Sequence, residues 1–453
     1  MAYEFKKLSD VNVIESTNEN AHVLAEQDGE IVRIPASSVG GGLPSGGAPH
    51  QQLVTDANGV AKWEDRFDPT AYPLPILYMN GDISGMDKDN KVILDYVFGE
   101  RSGTLTCKWQ GSSSLAYEKK NYTVVFDTAF EAHDGWGEQK KYCLKANYID
   151  FSHARNVCAA KLWGEIRKAR GESTAFYDQP NCGAIDGFPC VVVINGEYQG
   201  LYSFNIPKDA WMFGFTGETS TECILSAEER TDATSFKAAA KIDGTDFEFE
   251  HVGEGADTAA LTASFNEIPT MLSWMTDIYT QSFQSKFDVT SAFDYFVFVT
   301  MLNAEDCINK NYLLVTQDGV KWQISAYDLD SIWGNHWSGK SYYKASYYKF
   351  ADYAKRTKLF ECIYNNNPTN LISRYRALRK GTLSEANVFM VLSNYLAQIP
   401  KVYFDEEVKV WKGIPGTHTN NLNQIMEHYR IKCAVLDAEI DALEESLNAE
   451  ATE

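Results

Sequence analysis

The sequence predicts an α+β fold in which most of the strands come before most of the helices. Runs of β-branched and aromatic residues, separated by turn signals, occupy the chain from about Leu74 to Phe204. From about residue 258 the pattern is mostly helical, and one hairpin at 312–328 interrupts it. This order of segregated strands and helices is typical of α+β domains. The chain of 453 residues, with 44% hydrophobic residues, can bury the core that such a domain needs.

The net charge restricts the classes of partner. The chain carries 62 acidic and 41 basic residues, a formal charge of −21. Nucleic acids and anionic membranes need a positive face, so neither is expected as the main partner. The N-terminal segment Met1–Lys7 contains no apolar stretch, and no run of about 18 apolar residues occurs. We expect synthesis in a cytoplasm and no membrane span.

Cysteines and histidines give no sign of a metal or disulfide framework. The nine cysteines are odd in number, and no two are in C-x-x-C spacing. Such residues in apolar surroundings are expected to be buried free thiols in a reducing compartment. The eight histidines are scattered without an H-E-x-x-H pattern, so a structural zinc site is not expected.

Residues 1–68 have the pattern of a separate module. An N-terminal β-hairpin is predicted in residues 1–36 around Gln27-Asp28-Gly29, because Asp-Gly suits a tight turn. A Gly/Pro/Ser-rich linker follows at 37–51, and a second small hairpin is predicted at 52–72 around Ala57-Asn58-Gly59. Two strands alone bury too little surface to be stable. We therefore expect this module to dock on a partner or to oligomerise.

The main domain is predicted to divide into a strand-rich part at 73–257 and a helical part at 258–453. Strands are expected at 103–109, 121–126, 191–194 and 198–204, and a helix is expected at about 152–169. Near the C-terminus an apolar seam at alternating spacings of four and three predicts an amphipathic helix: Tyr429, Cys433, Leu436, Ile440, Leu443 and Leu447. The seam suits packing on the same domain, with a short coiled coil as the alternative.

The strongest candidate site lies between Asp288 and Gly334. A buried helix at 293–302 ends in a polar loop that contains Asp306 and Asn311. The strand Tyr312–Thr316 follows, and the return strand at 321–327 leads into Asp328-Leu329-Asp330. Alternate side chains of a strand face the same way, so Asp328 and Asp330 are expected to converge beside the loop. Three carboxylates and an amide suit a hard cation, magnesium above all, and phosphoryl transfer needs such a metal and one free Asp.

These residues belong to a wider set of motifs that resembles the CotH kinase family, the atypical kinases of spore coat proteins. The resemblance covers about Pro73 to Pro415 and rests on five ordered patterns. They are Gly111-Ser112-Ser113-Ser114 with Lys119-Lys120-Asn121-Tyr122; Asn147 through Asp150, Ser152, Arg155 and Asn156; Asn195-Gly196-Glu197-Tyr198-Gln199-Gly200-Leu201-Tyr202; Asn303-x-x-Asp306 with Asn311; and Tyr327-Asp328-Leu329-Asp330-Ser331-Ile332-Trp333-Gly334.

The resemblance implies a two-lobed, protein-kinase-like domain with a strand-rich N-lobe and a mostly helical C-lobe, and it implies ATP and Mg²⁺ as cofactors. It makes Asp306 and Asp328 the catalytic residues, with Asp306 orienting the substrate hydroxyl. It makes Asn311, Asp328 and Asp330 the metal ligands. The implied nucleotide-binding residues are Gly111, Ser112, Ser113, Lys119, Lys120 and Arg155.

Two departures from the family pattern bear on nucleotide affinity. In the turn that corresponds to the family's Gly-Asn-Ser-Ser, this chain has Ser112 where the family has Asn. The Glu that the family usually carries shortly after the hairpin Tyr is absent after Tyr202, where the chain reads Ser203-Phe204-Asn205-Ile206-Pro207. Both changes leave the metal carboxylates intact.

The N-terminal module is similar to the adaptor segments of phage fibre and other virion proteins. Together with the family resemblance, this similarity implies a kinase for protein Ser or Thr hydroxyls that is made in the host-cell cytoplasm and then displayed on the virion as a fibre, decoration or tail-type protein. Its partners would be phage structural proteins, through residues 1–68, and a protein phosphoacceptor; a homo-oligomer is compatible with the module. The alternative is a catalytically silent protein of the same fold, kept as a structural or host-attachment part of the particle.

Two further features have competing interpretations. Gly334 to Ser341 matches the P-loop pattern G-x-x-x-x-G-K-S, which would make the chain a P-loop ATPase. The segment contains His336 and Trp337, however, where a phosphate loop needs small residues. The aromatic segment from Trp333 to Tyr353 could stack on a carbohydrate or peptide, although a loop that covers the core is the favoured interpretation.

Overall fold

The computed structural model describes residues 22–27, 30–35, 51–55, 61–65, 67–171, 176–417 and 420–450. The predicted linker at 37–51, except for Gln51, lies outside the described residues, as do the turn residues Asp28, Gly29 and 57–59. The chain divides into two compact units, Met1–Ala71 and Tyr72–Glu453.

The first unit contains two separate antiparallel pairs of strands. Strand β1 (His22–Gln27) pairs with β2 (Glu30–Pro35), with Gln27 opposite Glu30. Strand β3 (Gln51–Thr55) pairs with β4 (Ala61–Asp65).

The second unit contains both strands and helices, so the α+β class predicted from the sequence is confirmed. Its strands are β5 Ile76–Asn80, β6 Val92–Phe98, β7 Arg101–Gln110, β8 Asn121–Phe130, β9 Gln139–Lys145, β10 Gly187–Ile194, β11 Glu197–Asn205, β12 Cys223–Ala227, β13 Phe247–Val252, β14 Tyr312–Thr316 and β15 Gln323–Ala326. Its helices are α1 Arg155–Lys168, α2 Thr258–Leu272, α3 Gln281–Gln284, α4 Val289–Met301, α5 Phe350–Ala354, α6 Lys358–Asn366, α7 Pro368–Lys380, α8 Glu385–Leu396, α9 Lys401–Val410 and α10 Leu422–Glu450.

Strands β5 to β11 form a closed barrel. The order around it is β10-β11-β9-β8-β7-β6-β5, and β10 pairs with β5 in parallel to close the circle. Alternate residues of β7, β8 and β9 fill the interior, among them Cys107, Val124 and Leu144. The intervening residues of the same strands therefore face outward.

Strands β12 to β15 form a second sheet in the order β13-β12-β14-β15. Strands β14 and β15 are the hairpin predicted at 312–328. Their register places Tyr312 opposite Ala326, so the residues that follow β15 return to the loop that precedes β14.

Helix α4 lies at the centre of the helical part and precedes this hairpin. Asp288 caps it by accepting a hydrogen bond from the N–H of Ser291 at 3.1 Å. Every residue of α4 except Thr290 is buried, and α10 is among the helices that pack against it.

Helix α10 corresponds to the predicted amphipathic helix. Its residues Tyr429, Cys433, Leu436 and Ile440 are buried, and the helix packs against α4, α7 and α8 of the same unit. Packing on its own domain is therefore what the structure contains. Within the described parts of the chain, no helix combines the length and apolar character needed to cross a bilayer. All nine cysteines are buried and free.

Candidate active site

A cavity of about 830 Å³ lies between the barrel and the second sheet with its flanking loops. One wall is the outward face of β7, β8 and β9 together with the turn Gly111–Ser114. The opposite wall contains residues 226–230, the loop that precedes β14 and the acidic segment that follows β15. Asp306, Asn311, Asp328 and Asp330 all line this one cavity.

The barrel wall follows from the pleat of its strands. Lys108 and Gln110 of β7, Asn121 and Thr123 of β8, and Cys143 and Lys145 of β9 all line the cavity. Residues at i and i+2 of a strand share a face, and their sequence neighbours fill the barrel interior. The polar face of the barrel is therefore the cavity wall.

The turn after β7 covers one end of this wall. Gly111 has a φ of +124°, and a Cβ there would overlap the Oγ of Ser114. Ser112 and Ser113 are exposed and line the cavity. Lys120 lies behind the turn and donates hydrogen bonds to the carbonyls of Leu115, at 2.7 Å, and Tyr117. Lys120 thus supports the turn, and its side chain does not line the cavity.

The loop between α4 and β14 holds Asp306 from two sides. Asn311 has a φ of +55°, and its amide Nδ2 donates to Oδ2 of Asp306 at 2.8 Å. Arg230 donates to Oδ1 of the same carboxylate at 2.7 Å. Burial raises the pKa of Asp306, and the guanidinium of Arg230 opposes that shift. Both oxygens of Asp306 therefore have fixed directions in the cavity.

Arg230 belongs to an ion-pair cluster next to Asp306. It pairs with both oxygens of Glu305 at 2.9 Å, and Arg356 donates to Glu305 at 2.7 Å. Burial acts against ionisation of Glu305, but the hydrogen bonds from the two arginines outweigh it and lower its pKa to about 2. Glu305 therefore stays ionised and anchors Arg230 beside Asp306.

Asp328 and Asp330 lie just beyond the end of β15. The strand ends at Ala326, and Asp328 has a left-handed φ of +55°. Leu329 is buried, and its N–H donates to Oδ1 of Asn156 at 2.9 Å. The two Asp side chains therefore reach the cavity from an irregular segment, and the strand pleat expected from the sequence does not bring them together.

The carboxylates of Asp328 and Asp330 have no bonded partner among the described residues. Across the described ranges, no hydrogen-bond donor or cation contacts the carboxylate of Asp328 or Asp330 at bonding distance. Burial and the neighbouring charge of Asp328 raise the pKa of Asp330 well above its usual value, while Lys145 acts in the opposite direction. A site with two adjacent carboxylates and no cation in contact with them favours binding of an external cation.

A magnesium ion fits this donor set in chemistry. The amide nitrogen of Asn311 donates a hydrogen bond to Asp306, so the amide oxygen of Asn311 can serve as a metal ligand beside the carboxylates of Asp328 and Asp330. The described residues contain no group of three or more His, Cys, Asp or Glu that is arranged to hold a metal. An ion here would accordingly rely on Asn311, Asp328 and Asp330, with its other positions filled by water or phosphate oxygens.

Lys119 lines the cavity, but its ammonium group is bonded inside the protein. Its side chain is fully buried and pairs with the fully buried Glu407 of α9. It also donates to the carbonyl of Ala146 at 3.1 Å and to that of Leu201. The N–H of Leu201 donates to Glu407 at 2.8 Å. A carboxylate therefore does reach the hairpin beside Tyr202, and it comes from 206 residues later in the chain.

Arg155 is also committed to internal contacts. Its guanidinium bonds to Asp150 at 2.6 Å, to the carbonyl of Ile332 at 3.0 Å and to Gln424 at 2.6 Å. The residue is fully buried and does not line the cavity. Its contacts join the start of α1 to the segment after Asp330 and to α10.

The segment that matches the P-loop pattern does not form one. Its backbone N–H groups are used inside the segment: that of His336 donates to the carbonyl of Ser341 at 3.1 Å, and that of Gly339 to the carbonyl of His336 at 2.7 Å. No helix begins until Phe350. The N–H groups that would cradle a phosphate are thus unavailable.

The aromatic segment from Trp333 to Tyr353 borders the cavity. Trp337 and Tyr343 line it, and Trp337 is 54% exposed. Trp333 and Tyr353, by contrast, are fully buried. The segment therefore covers the core at both ends and reaches the cavity in the middle.

Sequence reasoning missed four charged residues of this region: Lys108, Lys145, Arg230 and Glu407. Lys108 and Lys145 carry a weak signal, because each alternates with a barrel-core residue on its strand. Arg230 lies on an irregular segment, and Glu407 meets its partner only through the tertiary fold, so no local pattern marks either one.

Comparison with protein families gives one match. The family model described as CotH kinase protein matches residues 107–436. The matched range contains the turn after β7, the loop with Asp306 and the segment with Asp328 and Asp330. A search of curated protein sequences found no match.

Proposed function

The chain belongs to the CotH kinase family, and from that membership we propose that it is a magnesium- and ATP-dependent phosphotransferase acting on protein Ser or Thr hydroxyls. One observation carries the proposal. Asp306 with Asn311, and Asp328 with Asp330, line the same cavity as the Gly111–Ser114 turn. A hydroxyl-orienting acid, oxygen ligands for a metal and a turn that covers the phosphates are parts that phosphoryl transfer uses.

Asp306 is proposed to act on the acceptor. It orients the Ser or Thr hydroxyl and takes its proton while the hydroxyl oxygen bonds to the γ-phosphorus. The bond from that phosphorus to the bridging oxygen of ADP breaks, and ADP leaves. Arg230 and Asn311 fix the direction of the carboxylate for this task.

Asn311, Asp328 and Asp330 are proposed to hold Mg²⁺. The bound ion would neutralise charge on the phosphate oxygens. The supporting observation is that Asp328 and Asp330 line the cavity and that no cation of the described residues is bonded to their carboxylates. The proposed site lies between a strand-rich lobe, here the barrel, and a mostly helical lobe, a two-lobed layout that remains part of the proposal.

The alternative is a catalytically silent protein of the same fold. Two observations favour it: Lys119 is paired with Glu407, and Arg155 is fully buried. Lys119 lines the cavity with its ammonium group bonded to Glu407, and Arg155 does not line the cavity, so nucleotide affinity depends on other groups.

The location on a phage particle is proposed from the sequence of residues 1–68 alone. The protein would be made in the host-cell cytoplasm and then join the virion as a fibre, decoration or tail-type protein through this module. Particles assembled with a chain that lacks residues 1–68 would then carry none of the protein. Retention of that shortened chain on purified particles would contradict the proposal.

The kinase proposal is tested with the purified full chain, γ-labelled ATP and Mg²⁺, with transfer to the chain itself and to dephosphorylated casein as readouts. We expect incorporation by the wild type and its loss in Asp328→Asn, with Asp232→Asn, an exposed aspartate, as the control. Thermal unfolding with Mg-ATP separates the alternative, since a ligand that binds only the folded state raises its stability. Stabilisation without incorporation would identify a silent protein that binds nucleotide.

A further inference from the structure

The cavity wall formed by the barrel carries lysines that the family motifs do not predict. Lys108 on β7, and Lys141 and Lys145 on β9, all line the cavity. They share one face because Lys108 lies opposite Thr123, Thr123 lies opposite Cys143, and Lys141 and Lys145 flank Cys143 at i±2.

Among the described residues, only one of these three lysines has a bonded side-chain partner. Lys141 pairs with Asp209 at 2.6 Å. In the described portion of the chain, the side chains of Lys108 and Lys145 make no hydrogen bond or ion pair. Lys208, across the cavity, is held by Glu250 at 2.9 Å and by Glu228 at 3.5 Å. Among the described residues, Lys108 and Lys145 are therefore the lysines of this wall whose ammonium groups have no bonded partner.

Lys145 lies close to the proposed metal ligands. It is the last residue of β9, and it lines the same cavity as Asp328 and Asp330. Lys108 is two residues before Gln110 on β7, the strand that leads into the Gly111 turn. The two lysines therefore lie on the path from the turn to Asp330.

A half-buried ammonium group without a partner is costly, because it has lost part of its hydration without gaining a counter-charge. An anion in the cavity would supply that charge, and a charge-assisted hydrogen bond to phosphate is among the stronger ones. The lysines and arginine expected from the motifs cannot do this without breaking existing contacts. Lys119 is bonded to Glu407, Lys120 to two carbonyls, and Arg155 to Asp150.

We infer that Lys145, assisted by Lys108, binds the phosphate chain of the nucleotide, and that Lys119, Lys120 and Arg155 maintain the fold around it. This inference rests on the proposed function for the identity of the ligand. The shared chemistry is a polyphosphate, so inorganic tripolyphosphate and Mg-ATP are the two probes.

The test is calorimetric titration of the full chain with each probe in magnesium buffer. We expect Lys145→Met to weaken binding of both probes about 10- to 100-fold, and Lys108→Met to weaken it by a smaller factor. Lys140→Met is the matched control: Lys140 is on the same strand, is exposed, and donates to the carbonyl of Asp127 at 2.7 Å. It should leave both affinities within about threefold of the wild type, a change of well under 1 kcal/mol. If Lys145→Met does not fold, Lys145→Gln replaces it.

The outcomes separate the inference from the kinase proposal. Binding by the wild type that is unchanged in Lys145→Met and Lys108→Met overturns the inference and leaves the proposed function standing. Binding that depends on Lys145, in a protein that transfers no label, supports the inference and overturns the proposed transfer. No binding of either probe by the wild type overturns both.

Discussion

Replacing Glu407 by Gln should destabilise the protein strongly. Glu407 and Lys119 are both 0% exposed, and they pair with each other inside the second unit. Gln has almost the same shape but no charge, so the ammonium of Lys119 would remain buried without its counter-ion. His153 cannot compensate, because burial and Lys119 lower its pKa well below the usual value and it is neutral.

The size of the effect follows from these contacts. Removing one member of a buried ion pair costs about 3–5 kcal/mol, because the other charge is left uncompensated. The amide group also turns a donor toward one of the two groups that now donate to Glu407, the ammonium of Lys119 or the N–H of Leu201. Whole-protein stabilities are about 5–15 kcal/mol, so the loss would be about a fifth of the total or more.

The assay is urea denaturation followed by tryptophan fluorescence. Glu406→Gln is the matched control, because Glu406 is the preceding residue on α9 and pairs with Lys409, whose side chain is 69% exposed. Such a surface pair contributes about 0–1 kcal/mol. The double variant Lys119→Met/Glu407→Gln removes the stranded charge and should be more stable than Glu407→Gln alone. The reasoning is refuted if Glu407→Gln lies within about 1 kcal/mol of the wild type, or if the double variant is as unstable as the sum of the single ones.

Three other predictions concern separate parts of the molecule. Burial lowers the pKa of His428 to about 3, so below about pH 6.5 the unfolded chain binds a proton at this residue and the folded chain does not. The free energy of unfolding should therefore decrease as the pH falls from 6.5 toward 3, and His428→Gln should reduce that slope by about 1.4 kcal/mol per pH unit in urea denaturation. A slope equal to that of the wild type would contradict this prediction. Gly111→Ala should weaken Mg-ATP binding about tenfold in calorimetric titration, because a Cβ at this residue, whose φ is +124°, would overlap the side chain of Ser114. The control is Gly135→Ala, which should change only the stability, because Gly135 has a φ of +82° and no atom lies near the position of its Cβ. Equal affinities in the two variants would contradict the role of the turn. Arg230→Gln should lower the rate of phosphoryl transfer about 10- to 100-fold with little change in ATP affinity, because Arg230 orients the carboxylate of Asp306. Transfer at the wild-type rate would exclude this orienting role of Arg230.

The sequence predicted the features that local patterns encode. The α+β class and family membership followed from element order and motif spacing, and both are confirmed. The hairpin of β14 and β15 also followed from its pattern, because the Asp-Gly turn and the apolar strands are contiguous in the chain. Strand β14 has the bounds expected for it, at Tyr312–Thr316.

Closure of the barrel could not be predicted from local pattern. It depends on parallel pairing of β10 with β5, which places Val191 opposite Ile76. Strand β9 was also missed, because its cavity face carries Lys141, Cys143 and Lys145 and reads as polar. A strand that borders a polar cavity loses the apolar signal on that face.

The roles of the cations depend on distant contacts as well. Lys119 and Lys120 are neighbours in the chain, and the sequence alone does not show which one faces inward. The deciding group is Glu407, which lies 288 residues after Lys119. Helix α9 shows no pattern that marks this one acid as buried, since Asp405, Glu406 and Glu407 are consecutive.

The burial of α4 has a consequence for synthesis on the ribosome. This helix is covered on nearly every side, and one of the helices that cover it is α10, which begins at Leu422, 121 residues after α4 ends at Met301. Until α10 emerges from the exit tunnel and packs on α4, the aromatic and aliphatic side chains of α4 are not fully buried. The nascent chain therefore exposes a hydrophobic surface for most of the time in which its second half is translated. Chaperones that bind exposed hydrophobic surfaces are expected to bind the chain during that interval.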